Sequence, residues 1–302
     1  TGTVTETTKW PDGSVEVIET KKDGSMEITV TDKDGASSVT TVSADGKSET
    51  VVKLPASVIS AAEEKDEVIV LPMPEVSASK DPETAPLITA DLPAGASARV
   101  EIPVRDAGTG TVAVLIREDG TEKILLTGLP SENGISVILQ DGDTVKITDN
   151  SKSFADVAED YWGAEAIGFV TAREIFKGTG EDTFAPESSM TRAMILTVLA
   201  RCEGVDTAAG GEWYESGVQW AVENGISDGT DLNAPVTREQ LVTMLYRYAG
   251  EPEIAGSIGS FSDTSAVSSW AEDAIIWAVE NGIMEGMGNG MLKPQETATR
   301  VQ

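Results

Sequence analysis

The sequence predicts a multidomain chain, all-β through its first half and all-α in its second, and three observations carry that reading. Asp-Gly pairs recur every 11 residues from Asp12-Gly13 to Asp45-Gly46, with alternating apolar and polar residues between them. Short apolar strands punctuated by turn signals continue to about residue 150. From Phe154 the alternation stops, helical periodicity takes over, and five of the six tryptophans appear. The predicted domains are a β-meander over 1–55, a β-sandwich-like domain over 56–150 and a helical repeat region over 151–302.

In the first segment, Asp12-Gly13, Asp23-Gly24, Asp34-Gly35 and Asp45-Gly46 frame alternations such as Met26, Ile28 and Val30 against Glu27, Thr29 and Thr31. Asp-Gly favours the two-residue type I′ hairpin turn, and period two is the strand signal. Such turns place residues summing to 47 opposite each other across Asp23-Gly24. Val17 then faces Val30, Val30 faces Val39 and Val39 faces Val52, a valine row on one face. A stacked β-solenoid with short coils is the alternative. The expected role is a stalk or spacer. The acidic turns do not spell a calcium site: Asp32-Lys33-Asp34-Gly35 lacks the later oxygen ligands of an EF-hand loop.

The second segment opens with a proline-rich stretch, from Leu71-Pro72-Met73-Pro74 to Pro86. Strands are predicted at Ala98–Val104, Thr111–Ile116, Lys123–Leu126, Ile135–Leu139 and Thr144–Ile147. Asp119-Gly120, Asn133-Gly134 and Asp141-Gly142 separate them, a spacing that argues for a sandwich or small barrel. No chemical constellation stands out, so the expectation is a structural module between stalk and anchor.

Composition narrows the chemistry. Against 22 basic residues stand 51 acidic ones, a net charge of −29. Nucleic acid is a poor partner for such a surface. Histidine is absent and Cys202 is the sole cysteine, which removes His-dependent nucleophile pairs, thiolate metal clusters and internal disulfides. No metal and no cofactor is expected, and catalysis is left only to paired carboxylates. No apolar run approaches the ~18 residues that span a bilayer, so no membrane insertion is expected. The chain starts at Thr1 without methionine, which reads as a processed or trimmed piece with any signal peptide outside it.

The third segment is an internal repeat, with units at about 154–205, 206–255 and 256–302. Trp162, Trp213 and Trp270 each stand 16 residues before a glycine, at Gly178, Gly229 and Gly286. Prolines follow at Pro186, Pro235 and Pro294, then Thr191-Arg192, Thr237-Arg238 and Thr299-Arg300. Each repeat reads as helix, glycine turn, loop and helix. Trp220, Val222 and Gly225-Ile226 correspond to Trp277, Val279 and Gly282-Ile283, the glycine acting as a stop. The threonine is a good N-cap, and Thr237-Arg238-Glu239-Gln240 spells a capping box that Thr299-Arg300-Val301-Gln302 repeats.

Arginine directly after the N-cap sits at the positive end of the helix dipole, where acids are preferred. Its threefold recurrence suggests a role other than helix stability, since free helix-start amides beside a guanidinium would hold a carboxylate or phosphate. The competing reading pairs each arginine internally with an acid such as Asp156 or Asp263. Trp220 and Trp277, at helical spacing, are expected to pack, whereas Trp162, Trp213 and Trp270 are better placed to line a groove.

Phe154-Ala155-Asp156-Val157, Trp162, Ala166-Ile167, Phe184-Ala185-Pro186 and Met190-Thr191-Arg192-Ala193 resemble an S-layer homology (SLH) repeat, and the later units are similar. The resemblance covers about residues 154–302. It implies a pseudo-threefold helical module, non-catalytic, that holds a bacterial surface protein on an anionic, often pyruvylated, secondary cell-wall polysaccharide. It also implies an extracellular place in the cell wall or S-layer. Carried over by motif, the ligand contacts are Thr191, Arg192, Thr237, Arg238, Thr299 and Arg300, with Trp162, Trp213 and Trp270 lining the grooves.

Three departures qualify the match. Repeat two opens with Glu212-Trp213-Tyr214 instead of Phe-x-Asp, and its loop is shorter. None of the repeats has a glutamate after Thr-Arg-Ala. The chain stops at Gln302, where the second helix of repeat three should begin, so that repeat reads as truncated or completed from elsewhere. Residues 154 onward hold 8 basic and 24 acidic side chains, a net of −16, yet charges more than ~10 Å apart are largely screened. Two rival readings are a lattice- or filament-forming surface protein, with self-association, and a glycan hydrolase using two carboxylates.

Overall fold

A computed structural model of the chain describes residues 2–208 and 211–302. It divides into two compact units, Thr1–Ser153 with Ala164–Glu174, and Phe154–Gly163 with Ile175–Gln302. Strands fill the N-terminal half and helices dominate the C-terminal half.

The first unit begins with five six-residue strands, β1 (Val4–Lys9), β2 (Val15–Thr20), β3 (Met26–Thr31), β4 (Ser37–Val42) and β5 (Ser48–Lys53). They form an antiparallel meander, so the solenoid alternative does not apply. The turns correct the expected register. Trp10 N donates to Ser14 O at 2.9 Å and Gly13 N to Trp10 O at 3.1 Å, which closes a three-residue loop. Gly13, Gly24, Gly35 and Gly46 all adopt positive φ, the left-handed residue that follows a type I turn in such loops. The extra residue shifts every pairing by one. Val17 faces Thr29, Val30 faces Ser38 and Val39 faces Val51. The valine row is thereby split, with Val39 and Val51 exposed on one face and Val52 buried on the other.

The meander continues into the sandwich. β5 pairs in parallel with β8 (Leu87–Asp91), inside a nine-stranded sheet ordered β1-β2-β3-β4-β5-β8-β14-β10-β11. Its other members are β10 (Thr111–Ile116), β11 (Glu122–Ile124) and β14 (Thr144–Asp149). Residue 55 therefore falls between two neighbours of one sheet. A second sheet contains β6 (Ile69–Val70), β9 (Ser97–Arg105), β12 (Leu129–Ser131) and β13 (Gly134–Gln140), and β7 (Val76–Ser77) pairs with β9. Inward residues of both sheets share one core: Val52, Ile88 and Ile147 from the first, Val100, Ile102 and Val137 from the second. Helix α1 (Ala56–Lys65) was not anticipated. Pro55 at its start and Val58, Ile59 and Ala62 at three- and four-residue spacing are its signal, and Ile59 is buried in that core.

Helix α2 (Ala164–Ala172), the first helix of repeat one, belongs to this first unit. Ala172 packs with Val112 and Val114. Arg173, just past the helix, is buried and donates to the carbonyls of Gly128, Thr109, Thr111 and Phe169. Its guanidinium lies 3.7 Å from the Phe169 ring centroid, and burial lowers its pKa to about 10. The counterparts in the other repeats, Asn224 and Asn281, only bond back to their own helices, to Trp220 O and Trp277 O.

The second unit contains α3 (Arg192–Cys202), α4 (Glu215–Glu223), α5 (Arg238–Tyr248), a short 3-10 turn at Thr264–Ala266 and α6 (Glu272–Glu280). α3 packs on α4 and α5 on α6. Among the described residues no helix is long and apolar enough to cross a membrane.

Candidate functional site

The three Thr-Arg segments converge on a closed backbone ring. Met190 N donates to Ala298 O, Ala298 N to Val236 O, and Val236 N to Met190 O, each at 2.9 Å. One residue of each repeat therefore donates its N–H to the next around a cycle. All three residues are buried in one apolar cluster with Leu196, Leu199 and Met244.

Thr191 and Thr237 start α3 and α5 as the sequence dictates, and Thr299 opens a turn with part of the same pattern. Thr191 Oγ1 accepts from Met194 N at 3.3 Å. Thr237 and Gln240 complete the capping box. Thr299 N donates to Gln302 Oε1 at 3.3 Å, the side-chain half of the same device. Among the described residues, the Thr299 hydroxyl is buried with no hydrogen-bond partner.

The next two amides of each segment are not free, which corrects the premise of open anion sites at the helix starts. Arg192 N, Arg238 N and Arg300 N donate to the carbonyls of Ala234, Glu296 and Ser188. Ala193 N, Glu239 N and Val301 N donate to those of Leu232, Pro294 and Pro186. Every one of these acceptors lies in the loop of the neighbouring repeat. The pairing also corrects an alignment: Leu232, not Pro235, stands where Pro186 and Pro294 stand.

The guanidinium groups follow the same cycle. Arg238 is buried, donating from Nε to Leu292 O at 3.0 Å and from Nη2 to Glu285 O at 2.9 Å. Arg300 is also buried, donating to Phe184 O at 2.9 Å and Lys177 O at 2.8 Å, with its guanidinium 4.6 Å from the Phe184 ring centroid. Burial lowers the pKa of both. These two side chains satisfy loop carbonyls that would otherwise be orphaned, so their first role is to hold adjacent repeats together.

Arg192 differs. Its Nε donates to Thr230 O at 2.9 Å, as the cycle requires, but Nη2 meets side chains, Ser227 Oγ at 2.9 Å and Asp228 Oδ1 at 2.8 Å. The Arg192 side chain keeps 17% of its surface exposed and Asp228 keeps 68%. Thr230 is exposed where Phe184 and Leu292 are buried. The Phe-x-Asp acids do not pair with arginine. Asp156 accepts from Phe184 N and Ala185 N at 2.9 and 2.6 Å, and Asp263 from Leu292 N and Lys293 N at 2.9 and 2.8 Å. Those amides hold both carboxyl groups below their ordinary pKa.

The tryptophans divide into a packed pair and an exposed set. Trp220 packs against Tyr248 and Trp277 against Tyr246. Trp162, Trp213 and Trp270 are 69%, 50% and 55% exposed. Their surroundings tie two of them to the Thr-Arg segments of other repeats. Gly163, next to Trp162, lies so close to Val301 that an added Cβ would stand 2.2 Å from Val301 Cγ2. Ser268, two residues before Trp270, donates from its amide and hydroxyl to Glu239 at 3.0 and 2.8 Å. Glu239 is a buried carboxylate that also accepts from Gln295 Nε2 at 2.8 Å. Glu239, Asp228 and Arg173 were not singled out from sequence. Only the absence of a counterpart, such as arginine where the other repeats have asparagine, could have flagged them.

This is a repeat-built helical module that leaves large aromatic faces exposed at Trp162, Trp213 and Trp270. The S-layer homology domain matches residues 153–193 and 260–302. Those two segments carry the S-layer homology domain, and that domain marks the chain as cell-surface and cell-wall-associated. Repeat two, which lacks Phe-x-Asp, lies outside both matches. The chain is 29% identical over 182 residues to an endoglucanase of Bacillus sp. (strain KSM-635), covering 55% of this chain and 19% of that protein. It is 26% identical over 166 residues to the S-layer protein sap of Bacillus anthracis, 50% of this chain and 20% of that one. Over 140 residues it is 28% identical to a cellulosome-anchoring protein of Acetivibrio thermocellus, 40% and 31% respectively. It therefore spans about a fifth to a third of these relatives.

Proposed function

We propose that this chain anchors a bacterial surface protein, non-covalently and without catalysis, to an anionic secondary cell-wall polysaccharide carrying acidic, possibly pyruvylated, substituents. The helical repeats form a pseudo-threefold module for this purpose. The observation that carries the reading is the recurrence of an exposed indole at Trp162, Trp213 and Trp270. An exposed tryptophan costs solvation unless something covers it, and three at equivalent positions suit the apolar faces of sugar rings. Thr191 and Arg192 supply the polar contact. Thr237, Arg238, Thr299 and Arg300 act as framework that holds the grooves open. Weak sites acting together give useful avidity.

Incubation of the purified chain with extracted wall polysaccharide tests this. Retention on the polymer with no new reducing ends is expected; release of reducing ends would make the chain a hydrolase instead. A second reading, surface assembly, draws on β1, whose six residues are all exposed at the edge of the nine-stranded sheet, with Trp10 exposed beside it. Growth in particle size without added glycan would favour it.

A further inference from the structure

The three arginines of the ring are equivalent in sequence and unequal in chemistry. At the outer nitrogen, Arg238 and Arg300 meet main-chain carbonyls, Glu285 O and Lys177 O, each directly before the glycine of its loop. Asp228, directly before Gly229, is the counterpart of Glu285 and Lys177, and there the acceptor is its own side-chain carboxylate. That carboxylate is already oriented without Arg192. Its Oδ1 accepts from Thr230 N at 3.1 Å and Thr230 Oγ1 at 3.0 Å, a turn that fixes the oxygen in front of the guanidinium. The pair lies at the surface, since Asp228 is mostly exposed and Thr230 beside it is exposed too. A carboxylate or phosphate arriving from solution would have to take the position that Asp228 Oδ1 holds.

We propose that Asp228 is a built-in competitor for acidic ligands at Arg192, so that it sets the charge preference where repeats one and two meet. The idea rests on the anchoring reading above and refines it. With Asp228 in place, an acidic substituent reaches Arg192 only by displacing that carboxylate; without its charge, Arg192 becomes an open anion site. The competitor is tethered, so its effective concentration exceeds that of a dilute free anion. The Asp228 end of the pair faces solvent, so its hold on Arg192 is modest and can be displaced.

Asp228→Asn tests this in the full chain, because asparagine keeps the turn-forming oxygen and removes only the charge. The readout is the rate at which phenylglyoxal modifies each arginine, followed by peptide mass spectrometry, with sodium pyruvate as the anionic probe and glycerol as the neutral one. Arg192 is expected to react about two- to fivefold faster in the variant, the range an exposed ion pair commands. Pyruvate, and not glycerol, is expected to slow that reaction, and to do so at lower concentration in the variant than in the wild type. Buried Arg238 and Arg300 should stay unreactive in both proteins, which reports that the ring is folded. Equal Arg192 rates in both proteins, or no protection by pyruvate in the variant, would overturn the proposal. Failure of the wild type to be retained by wall polysaccharide would instead strike the anchoring reading, and the arginine rates remain interpretable either way.

Discussion

Both halves of this chain are built by repetition, but one repeat is open and the other is closed. In the meander each 11-residue copy leans on the next, and the row ends at β1 with an unpaired edge. In the helical region the copies pass hydrogen bonds from Met190 to Ala298 to Val236 and back, so no copy is terminal. The difference teaches where damage travels. An open row contains a fault between neighbouring strands, whereas a closed ring spreads it to every repeat.

The largest effect is expected from opening the ring. Arg238→Ala leaves the carbonyl of buried Leu292, and that of Glu285, without their donors. A cost of about 3 kcal/mol follows from the desolvation of such groups. Calorimetry should show the transition of the helical unit lowered by roughly 6–12 °C. Hydrogen exchange should quicken in α3 and α6 as well as in α5. Acceleration confined to α5 would mean that the ring does not couple the repeats.

Gly35→Ala is the matching fault in the open row. Gly35 has φ +92°, and alanine there costs about 1–2 kcal/mol. Exchange should quicken in β3 and β4 and leave β1 unaffected; a global loss of protection would erase the contrast between the two architectures.

Acid provides the smallest and most selective perturbation. Asp156 and Asp263 have folded pKa values below the ordinary carboxylate value because loop amides favour the charged form. Their stabilisation is present above that ordinary value and is lost as pH falls through the lowered one. Melts between about pH 5 and pH 2 should show the helical unit weakening as these two carboxylates take up protons. Asp156→Asn with Asp263→Asn should flatten that dependence; an unchanged slope would place the acid sensitivity elsewhere.

Much of this was legible in the sequence, and the failures have physical causes. Period-two alternation found the strands, and the Trp-Gly-Thr-Arg order found the helical repeats, because both are local signals. The register failed by one residue, since Asp-Gly serves two- and three-residue loops alike and only the Trp10–Ser14 closure separates them. The arginines read as non-helical in purpose, yet all three reach carbonyls 38 to 123 residues away, and main-chain acceptors carry no sequence signature. α2 looked like any first helix of its repeat until Arg173 showed what it bonds. The exposed tryptophans, by contrast, followed directly from their position at helix starts.

The most direct measurement is equilibrium sedimentation of the chain with extracted wall polysaccharide, comparing wild type with the variant carrying Trp162→Ala, Trp213→Ala and Trp270→Ala. These side chains are exposed, so the variant should melt within a few degrees of wild type. At ~1 kcal/mol per aromatic face, binding should weaken by on the order of a hundredfold. Undiminished binding by a folded triple variant would contradict the assignment of the indole faces to the glycan.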